Sequence, residues 1–210
     1  MEIAKLHIIT TGRQKPLHLA DILAVIHPEI DFIHIREKTK TAKELYELLE
    51  LLTDRGVPLS KIKMNDRVDV ACVLNVNGVH LANHSLPLEK VKQHFAELTV
   101  GCSIHSVEEA QTAEQQGADY IIFGHVFPTQ SKPGLAPKGI EQLRAVVEAV
   151  SVPVVAIGGI TPTTSREAIE AGAQGVAVMS GILEADDPLK AAQQYRSCLS
   201  TSPVPAKGGS

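Results

Sequence analysis

A histidine stands directly after a predicted buried strand, beside groups that suit an anionic ligand. The apolar run at 120–123 predicts the strand, and Gly124 lets the backbone turn before His125. The next loop carries two hydroxyls and a cation, from Thr129, Ser131 and Lys132. An imidazole titrates near neutral pH, so His125 is a candidate general base and general acid. A hydrogen-bonded structural role for His125 is the alternative.

Glycines follow two other predicted strands. The run 153–157 leads into Gly158 and Gly159, and the run 175–179 leads into Ser180 and Gly181. Glycine lets backbone N–H groups come close to an anion. The glycine pair alone would favour a tight turn, but the two loops together predict a phosphate-binding site.

Further charged side chains follow the second and third strands. Arg36 suits bidentate binding of a carboxylate or phosphate, with an ion pair to Glu37 or Asp66 as the alternative. Asp66 is a candidate Mg²⁺ ligand, but one carboxylate is few for that ion, and capping of the start of a helix is the favoured role. His34 is expected to fill the interior. The remaining histidines lack close ligand spacing, so no zinc site is predicted.

Short β-rich runs alternate with helical patterns along the whole chain. Strands are predicted at 3–9, 32–36, 61–64, 78–81, 99–104, 120–123, 153–157 and 175–179. Helices are predicted at 17–26, 41–55, 68–74, 87–95, 106–116, 139–150, 163–171 and 188–199. This pattern predicts a single (β/α)8 TIM barrel at 1–200 and a disordered tail at 201–210, with a doubly wound open sheet as the alternative. In a barrel, all strand ends meet at one mouth.

Composition excludes several classes of function. The 210 residues carry a net charge of −4 with dispersed Lys and Arg, which does not favour a nucleic-acid partner. The three cysteines have no metal or redox spacing, which favours a reducing compartment. No apolar run is long enough for a signal peptide or a membrane span, so a cytoplasmic protein is expected. Barrels of this size often pair, which leaves a homodimer open.

Seven segments, taken in order, resemble the thiamine phosphate synthase superfamily over nearly the whole chain: FIHIREK, KMNDRVDVA, GVHLANHSLP, VGCSIHS, GADYIIFGHVFPTQSKPG, PVVAIGGITP and GAQGVAVMSGI. The resemblance implies a (β/α)8 barrel that handles thiazole phosphate. It implies a seat for that phosphate at Gly159, Met179 and Ser180. The other substrate-binding residues expected are Arg36, Lys38, Ser103, Thr129, Ser131 and Lys132.

The chain departs from the synthase pattern at several positions, and these departures indicate to which branch of the superfamily it is most similar. The synthase joins a pyrimidine pyrophosphate to thiazole phosphate and needs Mg²⁺. This chain has His34 in place of its Gln, Ser85 in place of its second metal aspartate, and His125 in place of its Pro. The pair just before Ser85 is Asn83-His84 instead of Gln-Glu. The segments FIHIRE and FGHVF are instead similar to the TenI-type thiazole tautomerase.

These departures lead to the hypothesis of an aromatising isomerase that forms carboxythiazole phosphate. His125 is expected to remove a ring proton and return it to the exocyclic carbon, without a metal or other cofactor, and Arg36 is expected to bind the substrate carboxylate. Two alternatives remain open. One is a working, Mg²⁺-dependent thiamine phosphate synthase, because Asp66 and Lys132 are retained. The other is a non-catalytic regulator that kept the barrel and its phosphate site.

Overall fold

The computed structural model of the protein describes residues 3–131 and 133–200. The predicted disordered tail at 201–210 lies outside the described residues, as does Lys132. Within the described ranges, the helices are all too short or too polar to cross a lipid bilayer.

Eight parallel strands close into one barrel in chain order, which confirms the predicted TIM barrel. The strands are β1 Lys5–Ile9, β2 Phe32–Ile35, β3 Ile62–Asn65, β4 Gly78–Leu81, β5 Thr99–Ile104, β6 Tyr120–Gly124, β7 Val154–Ile157 and β8 Gly175–Val178. Closure is made by β1 and β8, which pair from Lys5 with Gly175 to Ile8 with Val178. The alternative of an open sheet is therefore wrong, because this pairing leaves no free edge.

Helices return the chain between successive strands and lie close to their predicted positions. They are α1 Pro16–Ile26, α2 Ala42–Asp54, α3 Val68–Leu74, α4 Leu88–His94, α5 Val107–Gln115, α6 Gly139–Ala149, α7 Pro162–Glu170, α8 Ser180–Leu183 and α9 Pro188–Ser200. The predicted capping box of α2 is present, with Thr41 accepting from the Glu44 amide and Glu44 accepting from the Thr41 amide. The short α8 was not predicted, because four residues are too few to show helical periodicity.

The barrel interior is apolar on one side. Ile9 of β1, Tyr120 and Ile122 of β6, Val155 of β7 and Ala177 of β8 form one buried cluster there. Ile157 and Met179 pack against this cluster from the ends of β7 and β8. The larger core lies between the strands and the helices. The strand ends that carry the predicted phosphate site therefore rest on a packed floor.

The other side of the interior is filled by titratable side chains. His7 Nδ1 lies 2.9 Å from His34 Nε2. His80 Nδ1 lies 3.3 Å from the Tyr120 hydroxyl. The ring centroids of His34 and His80 are 5.4 Å apart. The expectation that His34 fills the interior is confirmed, because its side chain is fully buried among these rings.

Lys63 lies in the same interior. Its Nζ donates to Asn77 Oδ1 at 2.6 Å and sits 4.6 Å from the centroid of the Tyr120 ring. The side chain is almost fully buried, and this burial lowers the pKa of Lys63 to about 8. A cation over an aromatic face recovers part of the lost hydration.

Burial keeps the interior imidazoles neutral. Desolvation is the largest cause that lowers the pKa of His7 and of His80, each to about 3. The pKa of His34 is also well below the ordinary value, first because of burial and then because of the charge that His7 would carry. These groups bind protons in the unfolded chain at a pH where the folded chain does not.

Stability should therefore fall as the pH drops below about 6.5. The pKa values of these histidines are lower in the folded chain than in the unfolded chain. The folded protein therefore keeps its full stability above the ordinary histidine pKa of 6.5 and loses part of it progressively toward a pH of about 3. Each such group contributes about 1.4 kcal/mol per pH unit within this window. We expect His7→Asn to reduce the slope of unfolding free energy against pH, measured in urea between about pH 4.5 and 5.5, by roughly that amount.

The control is His18→Asn, because His18 is exposed on α1. Its slope should match that of the parent. His80→Asn provides a second test if the His7 variant folds poorly. A parental slope in a folded His7 or His80 variant would contradict the account of the buried imidazoles.

Candidate functional site

The ends of β6 and β7 contact each other at His125 and Gly158. The Val126 amide donates to the Ile157 carbonyl at 2.9 Å, and the Phe127 amide donates to the Gly158 carbonyl at 3.0 Å. A Cβ on Gly158 would lie 2.2 Å from the Cβ of His125. Gly158 also has a φ of +95°. Only glycine meets both requirements, so the backbone turn after β7 is built against His125.

His125 is buried at the mouth rather than directed to bulk water, with 6% of its surface exposed. Its Nε2 lies 3.3 Å from the Leu135 carbonyl, to which it donates. His105 Nδ1 donates to the Gly124 carbonyl at 2.7 Å. The peptide bond between Gly124 and His125 is cis. These contacts are those of the structural alternative considered for His125, a histidine hydrogen-bonded to backbone.

The predicted phosphate seat lies between the ends of β7 and β8. Gly159 has a φ of +65°, and a Cβ there would lie 2.4 Å from the Pro128 carbonyl oxygen. Among the described residues, the Gly159 amide donates to no other group of the chain. Met179 is half-buried and Ser180 is exposed at the start of α8. The structure thus brings the three predicted residues to adjacent strand ends.

Tyr195 of α9 joins these two loops from behind. Its hydroxyl donates to the Ile160 carbonyl at 2.9 Å. The same hydroxyl would lie 2.8 Å from a Cβ on Gly181. Burial raises the pKa of Tyr195 to about 12, so the hydroxyl stays protonated as a donor. Tyr195 was not predicted from the sequence, since nothing in an amphipathic helix marks one tyrosine as facing a loop.

Arg36 and Lys38 follow β2 as cations without a counter-ion. Neither forms an ion pair within residues 3–131 and 133–200, so the alternative considered for Arg36, an ion pair with Glu37 or Asp66, is wrong. Glu37 is buried and lies 4.0 Å from Lys40 instead. The Arg36 amide donates to Thr10 Oγ1 at 2.8 Å, which fixes the backbone after the strand. The positive charge at this strand end is therefore available to a ligand.

Asp66 does not cap α3, in contrast to the structural alternative considered for it. The N-cap of α3 is Arg67, and no side chain caps it. Asp66 has a φ of +66°, and its Oδ1 accepts from the Ser85 hydroxyl. Its Oδ2 lies 3.4 Å from His84 Nε2. The left-handed backbone turns the carboxylate away from the helix and toward the loop after β4.

The remaining predicted residues are divided between the mouth and its rim. Ser103 Oγ lies 2.9 Å from His80 Nε2, at the top of the polar interior. Thr129 Oγ1 accepts from the Ser131 amide at 3.2 Å, so the first hydroxyl shapes its own loop. Ser131 is exposed. Lys132 lies outside the described residues.

Two buried oxygens near this mouth have no hydrogen-bond partner among the described residues. They are Asn65 Oδ1, at the end of β3, and Glu37 Oε1, after β2. Unpaired buried oxygens are unfavourable unless a ligand or water satisfies them. Neither was singled out as a binding residue from the sequence, although both stand at predicted strand ends.

No group of three or more His, Cys, Asp or Glu side chains in the described part of the chain is arranged to hold a metal ion. Asp66 and its neighbours bring one carboxylate, one hydroxyl and one imidazole together. A cation at this position would depend on oxygens from its ligand as well.

Comparison with known proteins identifies the family. The family model described as thiamine monophosphate synthase matches residues 6–182. A protein of Pyrococcus furiosus named thiamine-phosphate synthase is 38% identical over 195 residues, which are 91% of this chain and 93% of that protein. One of Natronomonas pharaonis with the same name is 42% identical, over 79% of each chain. The solved structure of a P. furiosus thiamine phosphate pyrophosphorylase has a TM-score of 0.80 and 34% identity, and the match covers 95% of this chain and 96% of that one.

These findings correct the isomerase hypothesis. Relatives at 38% and 42% identity carry the name of the synthase, so the assignment as a thiazole tautomerase is wrong. The hypothesis gave decisive weight to His34, Ser85 and His125. His34 packs in the interior and His125 bonds to backbone, so two of these three departures have structural roles that do not require a change of reaction.

Gly158→Ala tests the contact on which the mouth is built. The added Cβ would overlap His125, so we expect a loss of unfolding free energy about 1–3 kcal/mol larger than that of the control, measured by urea denaturation. The control is Gly56→Ala, because Gly56 also has a positive φ of +81° but no atom within 4 Å of an added Cβ. Equal losses in the two variants would show that the contact is unimportant.

Proposed function

The chain belongs to the thiamine monophosphate synthase family, and we propose that it is a synthase that joins a pyrimidine pyrophosphate to thiazole phosphate. Enzymatic function in thiamine biosynthesis is supported by the family match over residues 6–182. The observation that best supports a transferase is the similarity to a thiamine-phosphate synthase, at 38% identity over 91% of this chain. Both substrates carry phosphate groups, so the mouth must hold two anions at once. Pyrophosphate is released when the two halves are joined.

The thiazole phosphate is proposed to bind at the ends of β7 and β8. The free amide of Gly159 and the hydroxyl of Ser180 are donors for its oxygens, and Met179 covers the apolar floor beneath them. Oriented amides and hydroxyls bind a phosphate without placing a charge at the site. In this arrangement His125 supports the turn at Gly158 and does not transfer a proton.

The pyrophosphate is proposed to bind on the opposite side, near the ends of β2 and β3. Arg36 and Lys38 carry positive charge without a counter-ion in the described part of the chain. Ser103, Thr129, Ser131 and Lys132 are proposed as further substrate contacts, by their match to the family pattern. Attraction between these cations and the departing anion favours breakage of the bond to the pyrimidine.

The Mg²⁺ that the family requires fits the Asp66 carboxylate. Mg²⁺ usually takes one or two carboxylates together with phosphate oxygens, and one side-chain carboxylate is present here. When bound, Mg²⁺ would neutralise negative charge on the leaving pyrophosphate. Asp66 would hold it, and Ser85 orients that carboxylate by donating to its Oδ1.

The direct test incubates the two phosphorylated halves with the protein and a divalent cation. Formation of thiamine phosphate and release of pyrophosphate are both measured. We expect Asp66→Asn to lower kcat/KM by about 100-fold or more, because the variant loses the carboxylate proposed to hold the cation. Asp186→Asn, at an exposed aspartate after α8, should retain parental activity. Absence of thiamine phosphate with every divalent ion tried would refute the transferase.

Gly159→Ala tests the phosphate seat separately. The new Cβ would displace the Pro128 carbonyl and misplace the free amide, so we expect KM for thiazole phosphate to rise about tenfold or more. KM for the pyrimidine pyrophosphate should stay within about twofold, since that substrate is proposed to bind across the mouth. Gly56→Ala is the matched control for a methyl group at positive φ. Equal increases in both KM values would contradict the assignment.

A further inference from the structure

The loop after β4 places an imidazole beside the Asp66 carboxylate. Ser85 accepts from the Ala82 amide at 2.7 Å and donates to Asp66 Oδ1, so the turn and the carboxylate are fixed together. His84 Nε2 lies 3.4 Å from the other oxygen, Oδ2. The Asp66 amide donates to the His80 carbonyl at 3.0 Å, which ties the carboxylate to the end of β4. One carboxylate oxygen therefore faces one ring nitrogen.

The spacing of this pair suits two ligands of one metal ion. Zn²⁺–N and Zn²⁺–O bonds are about 2.0–2.2 Å long, and two such ligands of a tetrahedral ion are about 3.4 Å apart. The observed separation of Nε2 and Oδ2 is 3.4 Å, which is long for a charge-assisted hydrogen bond. The His84 side chain is 64% exposed, so its second nitrogen can keep a water partner.

The donor types point to the class of ion. Asp66 supplies one carboxylate, and Ser85 beside it supplies a hydroxyl rather than a second negative charge, which weakens the attraction for a hard cation such as Mg²⁺. An imidazole beside one carboxylate instead suits a first-row transition ion. His84 thus supplies a softer donor beside a single carboxylate.

We propose that this site selects a first-row transition-metal ion over Mg²⁺, with Asp66 Oδ2 and His84 Nε2 as its protein ligands. Phosphate oxygens of the substrate and water complete the coordination. The inference rests on the proposed function, because it concerns the cation that assists pyrophosphate release. It makes His84 the residue that determines metal preference.

The test measures binding of Co²⁺ and Mg²⁺ alone to tag-free protein. Co²⁺ binding is followed by its visible absorption, and Mg²⁺ binding by calorimetry. We expect His84→Gln to weaken Co²⁺ binding at least tenfold and to reduce the absorption of the bound ion. Mg²⁺ affinity should change by less than twofold. Ser85→Asp should raise Mg²⁺ affinity and lower the Co²⁺ preference at least tenfold.

His18→Gln is the control for loss of an exposed histidine elsewhere, and it should leave both affinities unchanged. Equal Co²⁺ affinities in the parent and His84→Gln would overturn the inference, even if thiamine phosphate is formed. Conversely, His84-dependent Co²⁺ binding without thiamine phosphate formation under any condition would refute the proposed function and leave the metal site standing.

Discussion

The pairing of β1 with β8 is the interaction on which the site depends. It closes the sheet, so that eight parallel strands direct their carboxyl ends toward one mouth. Residues separated by more than a hundred positions, such as Arg36 and Ser180, then share one opening. Without closure, the loops after β2 and β8 would lie near opposite edges of an open sheet, and the two proposed anion-binding regions would be far apart.

The interior beneath that mouth is divided in a way that matches the proposed use of the two sides. Apolar packing under β7 and β8 supports the proposed phosphate seat, which would need rigid geometry more than charge. Under β2 to β4 lie neutral imidazoles and Lys63, with hydrogen-bonding capacity reaching Ser103. Burial keeps the pKa of each imidazole low, so this side contributes polar groups without adding the charge of three protonated rings.

His125 shows how one residue type supports different interpretations. Its position after a buried strand is typical of an acid–base residue, and the structure does place it at the mouth. However, its Nε2 donates to a backbone carbonyl and its Cβ packs against Gly158. The family match covers residues 6–182, and His34, Ser85 and His125 are only three of those positions. Substitutions at a few positions of the family pattern can change local packing, as at His34 and His125, without changing the reaction that the enzyme catalyses.

The sequence by itself determined the barrel, nearly all of its elements and the strand ends that form the mouth. Strand runs, capping boxes and glycines act over a few residues, so their signals are local and can be read along the chain. Tertiary structure decided the partners: Ser85 for Asp66, Leu135 for His125 and Tyr195 for the Ile160 carbonyl. These contacts join residues up to 35 positions apart, and they depend on φ values and side-chain directions that exist only once the barrel has closed.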